Sequence, residues 1–362
     1  MYKRTETKKV KVGSITIGGK NNVVIQSMCN TKTSDYKNTI KQIKELETAG
    51  CELVRVTVPD IDSANAIDKI KSKINIPLVA DIHFDYKLAL MAIERGVDKV
   101  RINPGNIGDD EKIKEVVKLA KKKKVPIRIG VNSGSLEKDI LKKYHNKVTS
   151  KGLFLSAKKH IDILEKNDFY NTIVSIKASD IIMAKEAYEL FAEKYNYPLH
   201  IGITEAGTLT DGNIKSSLGI GLILNEGIGD TMRVSLTADP IHEIYAAKKI
   251  LQELKLYNKG YELISCPTCG RTEINIIALA NKLNIELNKI FTNDIIKKQK
   301  RLYKVALMGC VVNGPGEAKG CDIGIAGGKK EGVLFKKGKI IRKIKANDII
   351  RVLINEIKND FR

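Results

Sequence analysis

The chain has 362 residues, 43% of them hydrophobic and 29% charged, which suits a folded protein with a sizeable core. No apolar run approaches the roughly 20 residues of a membrane-spanning helix, and the basic N-terminus lacks the apolar region of a signal peptide. We therefore expect a cytoplasmic protein. Its six cysteines are expected to be reduced thiols, metal ligands or core residues rather than disulfides.

The net charge of +21 could indicate a nucleic-acid partner. The basic residues are not interleaved with aromatic ones, which a stacking surface requires, and aromatics make up only 5% of the chain. A solvated, lysine-rich surface without a nucleic-acid partner is the favoured interpretation. Only 11 of the 63 basic residues are arginines. Each arginine is therefore expected where a planar guanidinium is needed, as in bidentate binding of phosphate or carboxylate.

A short hairpin is predicted first, with strands at residues 10–12 and 15–17. Eight β-branched runs follow, most of them with an amphipathic helix behind: residues 23–28, 53–58, 77–83, 99–103, 127–131, 172–177, 199–204 and 231–236. Eight strand–helix units in a row favour a closed (β/α)8 TIM-like barrel of the α/β class, spanning residues 1–258. An open doubly wound sheet is the alternative, but its usual glycine-rich loop after the first strand is replaced by Ser27-Met28-Cys29.

The remaining residues, 261–362, are predicted to form a smaller α+β domain. Strands are expected at residues 261–265, 302–308 and 322–326, and a further pair is expected to turn at Lys337-Gly338. The same pattern predicts helices at residues 272–287 and 347–357.

Two segments of this second domain carry thiols on glycine-rich turns. The first runs Cys266-Pro267-Thr268-Cys269-Gly270-Arg271 and the second runs from Cys310 through Asn313-Gly314-Pro315-Gly316 to Glu317. A Cys-x-x-Cys pair brings two sulfurs to one metal centre, and structural zinc ribbons usually have two such pairs, so the single pair favours an iron–sulfur cluster over zinc. Spacing alone leaves either Glu317 or Cys321 as the fourth ligand.

These two segments resemble those of the 4-hydroxy-3-methylbut-2-enyl diphosphate synthases of the non-mevalonate isoprenoid pathway. The resemblance extends from residues 24–28 of the first barrel run to residues 233–235 of the last, and covers essentially the whole chain in the bacterial two-domain arrangement. It implies an oxidoreductase that converts 2-C-methyl-D-erythritol 2,4-cyclodiphosphate to the linear allylic diphosphate by a two-electron reductive dehydration and ring opening.

The resemblance also implies which residues hold the cofactor. In the family a [4Fe-4S] cluster is bound by three cysteines and one glutamate, which correspond to Cys266, Cys269, Cys310 and Glu317. Cys321 is then a packing or incidental thiol. A carboxylate binds iron less firmly than a thiolate does and can yield its place to a substrate oxygen, which makes Glu317 a catalytic as well as a metal-binding residue.

Barrel residues of the family's substrate site are matched as well. Residues expected to bind the diphosphate are Arg55, Arg101, Arg128, Arg233, Asn103, Asn132, Lys177 and Ser235. Glu205 is expected to be catalytic, binding the substrate hydroxyls or handling a proton, although it could instead pair with Lys177. Asp81 and His83 also match the family's substrate site, and for them a purely structural role stays open.

An acidic flavodoxin or ferredoxin is the electron donor that the resemblance implies, and the basic surface would speed its encounter at low salt. A head-to-tail homodimer is implied too. Two other functions remain as alternatives: a barrel enzyme of the pterin-binding type with structural cysteines, and a basic nucleic-acid-binding protein with a zinc module.

Overall fold

The computed structural model describes residues 6–310, 316 and 318–361. It divides into two compact units, the first ending at Tyr257 and the second beginning at Asn258. In this described part of the chain, no helix is both long and apolar enough to span a bilayer.

The first unit is a nearly closed parallel barrel behind a β-hairpin. The hairpin pairs β1 (Val10–Val12) with β2 (Ile15–Ile17) in antiparallel fashion, as predicted. The eight barrel strands are β3 (Val24–Met28), β4 (Leu53–Thr57), β5 (Leu78–Asp81), β6 (Lys99–Ile102), β7 (Ile127–Asn132), β8 (Thr172–Lys177), β9 (His200–Ile201) and β10 (Thr231–Met232).

Strand pairing confirms the (β/α)8 prediction. Strands β3 to β8 pair in sequence order, β9 pairs with β10, and β10 pairs with β3, all in parallel. A bridge between Val174 and Leu199 brings β8 to the start of β9. The open doubly wound alternative is therefore wrong.

Helices cover the outside of the barrel. They are α1 (Tyr36–Ala49), α2 (Ile61–Asn65), α3 (Ile67–Lys71), α4 (Tyr86–Glu94), α5 (Asp110–Lys123), α6 (Lys138–Lys143), α7 (Ser150–Lys166), α8 (Ile181–Ala192), α9 (Leu209–Asn225) and α10 (Pro240–Glu253). The side chains of Asp35 and Asp85 cap α1 and α4 by accepting hydrogen bonds from backbone N–H groups of the first turn.

The last two barrel strands are shorter than the sequence predicts. β-Branched residues suggested strands at 199–204 and 231–236, but each ladder stops after two residues. Ile203 and Val234 are buried without continuing the ladder. Their apolar character reflects packing beneath the helices, which periodicity does not distinguish from strand pairing.

The hairpin closes the amino-terminal end of the barrel. Buried side chains of the hairpin pack against the first inward residues of four barrel strands in one apolar cluster: Val10, Val12, Ile17, Val24, Leu53, Val79 and Ile173. Beyond this apolar floor the inward positions are mostly polar, whereas the outward positions of the strands are apolar and pack under the helices. The barrel therefore has a polar interior that is open to function only at its carboxyl end.

The second unit is a five-stranded sheet with helices, as the α+β prediction states. Its strands, in sheet order, are β11 (Tyr261–Ser265), β12 (Tyr303–Met308), β13 (Ile323–Ala326), β14 (Glu331–Lys336) and β15 (Lys339–Lys345). The first three are parallel and the rest antiparallel. Its helices are α11 (Ile276–Ile290), α12 (Asn293–Lys298) and α13 (Ile349–Asp360).

Helix α11 begins four residues later than predicted. Asn275 caps it by accepting a hydrogen bond from the Ala278 N–H. The intervening Thr272 is instead held in a turn, because its hydroxyl accepts a hydrogen bond from the Cys269 N–H. The residues just after the Cys-x-x-Cys pair thus serve the thiol loop rather than the helix.

Candidate functional site

Most of the residues predicted to bind substrate project into the barrel from neighbouring strands. Because side chains alternate along a strand, residues two apart share one face. Positions 55, 101, 128, 177 and 233 all lie on the inward face in the observed register. Their convergence is a consequence of barrel closure.

Asp81, at the end of β5, is the centre of an ionic network. Its carboxylate lies 3.1 Å from Arg101 Nη1, 3.6 Å from Arg55 Nε and 3.7 Å from His83 Nε2. Burial alone would raise the pKa of Asp81, but the charges of Arg55, Arg101 and Arg128 lower it to about 2. Asp81 is therefore a fixed carboxylate that orients two guanidinium groups.

His83 lies at the edge of this network. Its side chain is 54% exposed, and its Nδ1 is 3.4 Å from Arg101 Nη1. Partial burial lowers the pKa of His83 and the nearby Arg101 and Arg55 charges act in the same direction, against the opposing effect of Asp81. A mostly neutral, accessible imidazole next to the cations is available to a ligand.

Arg101 is also fixed from β7. Its Nη2 donates to the Gly130 carbonyl at 3.0 Å, and Asn103 Oδ1 accepts from the Gly130 N–H at 3.1 Å. The Asn132 amide, with its oxygen towards Arg101, accepts from Nη2 at 3.2 Å. A Cβ at position 130 would lie 2.2 Å from Arg101 Nε, so only glycine leaves room for this guanidinium.

Arg233 is held by a carboxylate that sequence reasoning missed. Glu243, buried in the first turn of α10, accepts from Arg233 Nε at 3.0 Å and from Nη2 at 2.9 Å. The same carboxylate accepts from the Ser27 hydroxyl at 2.9 Å. An acidic residue in a first helical turn is ordinarily a partner of the helix dipole, so its sequence position gave no sign of this role.

Met28, another residue that sequence reasoning passed over, lies between two guanidinium groups. Its Sδ is 2.8 Å from Arg55 Nη2 and 3.3 Å from Arg233 Nη1. A thioether is only a weak acceptor. Two guanidinium groups that share so weak an acceptor retain most of their capacity to bind an oxyanion.

The barrel interior has a surplus of positive charge. Six buried or nearly buried basic side chains lie in it: Arg55, Lys99, Arg101, Arg128, Lys177 and Arg233. Among the described residues only two buried carboxylates, Asp81 and Glu243, face them, which leaves a formal excess of four positive charges. Burial lowers the pKa of Lys177 well below its usual value, and the four neighbouring arginines lower it further. Unpaired buried charge is costly, so this interior is suited to an anionic ligand.

Glu205 and Ser235 lie beyond the ends of the short strands β9 and β10. Glu205 is exposed and has a left-handed backbone with φ of +53°, and Ser235 is half-buried. Within the described residues the Glu205 carboxylate makes neither a hydrogen bond nor an ion pair, with Lys177 or any other residue. Its conformation is strained for a non-glycine residue, and such strain is often found at functional positions.

Cysteine thiols gather at the ends of two neighbouring strands of the second unit. Cys266 directly follows β11, Cys310 follows β12 after one residue, and these strands pair in parallel. The Gly309 N–H donates to Cys266 Sγ at 3.1 Å. Hydrogen bonds from the Arg271 backbone and side chain and from Thr272 lower the pKa of the exposed Cys269. Glu317 lies outside the described residues.

Two of the described thiols, those of Cys266 and Cys269, accept hydrogen bonds from neighbouring N–H groups. In the described ranges, no group of three or more Cys, His, Asp or Glu side chains that could hold a metal ion is found. The N–H groups aimed at Cys266 and Cys269 are the kind of donors that stabilise thiolates and tune cluster potentials. Cys321, in contrast, is buried, and burial raises the pKa of its thiol.

Comparison with known proteins covers both units. Residues 7–248 match the GcpE TIM-barrel domain and residues 262–359 match the GcpE protein C-terminal domain. A 4-hydroxy-3-methylbut-2-en-1-yl diphosphate synthase (flavodoxin) of Clostridium tetani is 56% identical over 98% of this chain and 99% of its own length. The Geobacillus thermodenitrificans protein of the same name is 57% identical over 98% of this chain and 92% of its own.

Among solved structures, a Yersinia pestis dihydropteroate synthase covers 68% of this chain and 98% of its own, at 10% identity and a TM-score of 0.49. The sequence relatives match both units at more than half identity and leave the pterin-binding and nucleic-acid-binding alternatives without support. The chain belongs to the GcpE family of 4-hydroxy-3-methylbut-2-en-1-yl diphosphate synthases.

Proposed function

We infer that this chain catalyses the reductive conversion of 2-C-methyl-D-erythritol 2,4-cyclodiphosphate to 4-hydroxy-3-methylbut-2-enyl diphosphate. The reaction consumes two electrons and two protons. It breaks the bond between C2 and the ring oxygen, removes the C3 hydroxyl as water and leaves a linear diphosphate. The relatives named above carry the name of this activity.

The observation that carries this function is the surplus of positive charge in the barrel. A cyclic diphosphate is a compact anion, and guanidinium groups bind phosphate oxygens in bidentate fashion. Arg55 and Arg233 already converge on one weak acceptor, Met28 Sδ, which a phosphate oxygen would outcompete. Asp81 and Glu243 hold the arginines in place before the ligand arrives.

We assign the substrate-binding role to residues 1–258 and the cofactor-binding role to residues 261–362. Clamping of the diphosphate falls to side chains of the barrel interior and of its carboxyl end: Arg55, Arg101, Asn103, Arg128, Asn132, Lys177, Arg233 and Ser235. His83 is accessible next to these cations and contacts the same ligand, whereas Asp81 acts by positioning Arg55 and Arg101. The clamp keeps the ring oxygen on C2 in contact with cations, which stabilises the negative charge that develops there as the C2–O bond breaks.

Glu205 is the proposed proton-handling residue. Its exposed carboxylate is free of protein partners in the described part of the chain. The left-handed backbone at this residue sets the direction of its Cα–Cβ bond. Such a carboxylate can hold a substrate hydroxyl or supply a proton to a leaving oxygen. A Glu205→Gln variant would keep substrate affinity and lose turnover.

Cys266, Cys269 and Cys310, together with Glu317, are the proposed ligands of a [4Fe-4S] cluster. When bound, the cluster supplies the two electrons one at a time. The N–H of Gly309 stabilises the Cys266 thiolate, and Arg271 and Thr272 stabilise that of Cys269. Thiolates held in this way need a reducing compartment, which the cytoplasm provides.

Flavodoxin, which the relatives' names specify, is the proposed electron donor; a ferredoxin is the alternative. Electron-transfer complexes form through small, charged, transient interfaces. The net charge of +21 attracts an acidic carrier and gives a rate of association that falls as the salt concentration rises. Stopped-flow reduction by flavodoxin at increasing salt measures this dependence.

A homodimer is the proposed assembly, and mixing two inactive variants tests whether its sites are shared. One variant, Arg101→Ala, lacks a substrate ligand, and the other, Glu317→Ala, lacks a cluster ligand. Activity that returns on mixing supports a site built from two subunits. A mixture as inactive as its components counts against it.

The experiment that tests the function is an EPR spectrum of anaerobically purified, dithionite-reduced protein with and without the cyclodiphosphate. We expect a cluster signal that changes when the cyclodiphosphate is added, and the same signal without the change in Arg101→Ala. A signal indifferent to the cyclodiphosphate in the wild type would contradict the proposed substrate. Zinc in place of iron would contradict the proposed cofactor.

A further inference from the structure

The barrel holds a second group of cationic and polar side chains beneath the proposed diphosphate clamp. Lys99 and His200 are fully buried, and Gln26 and Arg128 are each 1% exposed. In a barrel of this kind, alternate strands contribute the side chains of each interior layer. The strand register places Gln26, Arg128 and His200 in one layer and Lys99 in the layer below, next to the apolar floor.

These side chains have polar atoms for which the protein provides no partner. Within the described residues, Lys99 Nζ, Arg128 Nε and Nη1, both polar atoms of the Gln26 amide, and His200 Nε2 are buried without a hydrogen bond. Buried donors in folded proteins are nearly always satisfied. Gln26 Oε1 is itself an acceptor, but the other atoms are donors, and unpaired donors on four neighbouring side chains deep in one barrel indicate a common missing acceptor.

The missing acceptor must also be negative. No carboxylate occurs at the inward positions of these two layers, and the charges acting on Lys99 are those of Arg128 and Arg55, which together with burial lower its pKa. Burial also lowers the pKa of His200, and four cations act in the same direction: Arg128, Lys177, Lys99 and Arg55. A water molecule would satisfy donors but would leave two like charges facing each other in a medium of low dielectric constant.

We propose that the barrel interior binds a small monovalent inorganic anion, of which chloride is the simplest, between Lys99 and Arg128, with Gln26 and His200 as further donors. The interior of an eight-stranded barrel is filled by side chains, so only an ion of about the size of a water molecule fits among them. His200 takes part as a neutral ring: with the Thr231 hydroxyl, 3.4 Å away, donating to Nδ1, the remaining proton is on Nε2.

Such an anion has a function in the molecule. It offsets part of the surplus charge and lets Lys99 stay protonated next to Arg128, which borders both sites. The anion site is separate from the diphosphate site because it lies on the side of Arg128 that faces the hairpin floor. It does not depend on the cluster or on the assigned reaction.

Bromide is the probe, because it replaces chloride and is identified by its anomalous scattering. The full-length protein is purified and crystallised in sodium bromide, and data are collected at the bromine absorption edge. We expect an anomalous peak between Lys99 Nζ and the Arg128 guanidinium. Peaks at surface lysines alone would mean an adventitious ion only, and this outcome overturns the proposal. A map without any peak in the barrel interior overturns it as well.

Thermal unfolding gives a second test that needs no crystal. At constant ionic strength, gluconate is replaced by chloride, since gluconate is too large to enter. The Tm should rise by about 3–5 °C as chloride goes from tenfold below to tenfold above its Kd. A Tm equal in the two salts overturns the proposal and would mean that Lys99 is kept as a neutral amine.

Lys99→Met supplies the matched comparison, because it keeps the length of the side chain and removes its charge. It should lose the bromide peak and the chloride-dependent rise in Tm. Lys114→Met, an exposed lysine on α5, should keep both. If Lys99→Met does not fold, the two wild-type measurements still decide the proposal. A chloride effect that persists in a folded Lys99→Met would contradict it.

Discussion

The barrel interior and the thiol loops differ in how far the chain organises each of them before any ligand binds. In the barrel, most of the proposed diphosphate ligands stand on strands and are buried, and Asp81, Glu243 and Gly130 fix the arginines among them. In the second unit the three thiols proposed as cluster ligands are on loops, and Cys269 is exposed. Sites on regular elements are held more accurately than sites on loops. The barrel thus presents a prearranged clamp, whereas the thiols depend more on the group that they bind.

The same contrast applies to stability. The barrel contains more buried cations than anions, and each unpaired buried charge opposes folding. The thiols impose no comparable cost, because partly exposed cysteines lose little hydration. An anionic ligand should therefore stabilise the first unit strongly, and loss of a thiol should leave that unit unchanged. The variants below test these two halves of the contrast.

Cys269→Ser should have the largest effect on function. Serine is a poor ligand for cluster iron, so we expect the iron and labile-sulfide content to fall and activity to drop below detection. The barrel should be unaffected, because surface substitutions change stability by about 0.5 kcal/mol or less. Chemical iron and sulfide analysis measures the first effect, and hydrogen exchange of the barrel strands measures the second. Full iron content in this variant would remove Cys269 from the ligand set.

Glu243→Gln should come next, and it tests whether the clamp is positioned by the carboxylates. The substitution keeps the shape of the side chain but replaces a charged hydrogen bond to Arg233, an interaction that contributes about 1.5–3 kcal/mol. We expect kcat/KM to fall about 10–100-fold, with most of the loss in KM because Arg233 is a proposed ligand of the diphosphate. Glu253→Gln, at the exposed end of the same helix, is the control. A loss confined to kcat would argue against a positioning role.

The surroundings of Arg233 show what the sequence could and could not predict. The eight strands, the two-unit order and the inward arginines follow from β-branched periodicity and a lysine-rich composition in which arginine is rare. Glu243 and Met28 did not follow, because their roles depend on which helix and strand lie beside Arg233 in space. Sequence spacing contains no information about a contact such as that between Met28 and Arg233, which are 205 positions apart.

Lys99 gives a second example of this limit. It stands in a predicted strand, where a lysine is ordinarily at an edge or facing solvent. Only closure of the barrel turns that position inward and buries the amine completely. Charge inside a closed barrel is a property of the whole fold, and it becomes visible only after the register of every strand is known.

Asp81→Asn should have a smaller effect, on the stability of the barrel in acid. The pKa of Asp81 is lowered from 3.8 to about 2 in the folded chain, so its stabilising effect is complete above about pH 4. The effect is lost as the pH falls through about 2, and it amounts to about 2 kcal/mol. We expect the free energy of unfolding of the wild type to fall by this amount between pH 4 and pH 2. In Asp81→Asn this contribution is absent, so the fall over the same range should be about 2 kcal/mol smaller. Urea unfolding followed by circular dichroism measures the difference.

Glu137→Gln is the control for this acid effect. Hydrogen bonds from His160 and Ser156 lower the pKa of Glu137 to about 2 against the effect of burial, yet Glu137 lies outside the clamp. Both variants should show a flatter pH dependence, but only Asp81→Asn should weaken binding of the cyclodiphosphate, because Arg55 and Arg101 lose their shared partner. Equal binding in the two variants would show that Asp81 is structural only.

Cys321→Ala should have the smallest effect, and it defines the boundary of the thiol site. Cys321 is 3% exposed and packs with Ala306, Met308 and Phe335 in an apolar cluster. Burial raises the pKa of its thiol, which disfavours the thiolate that a ligand needs. We expect full iron content, unchanged activity and a loss of about 1 kcal/mol in the stability of the second unit. If iron were lost in Cys321→Ala and retained in Glu317→Ala, the fourth ligand would be Cys321. The cluster would then be held by four thiolates.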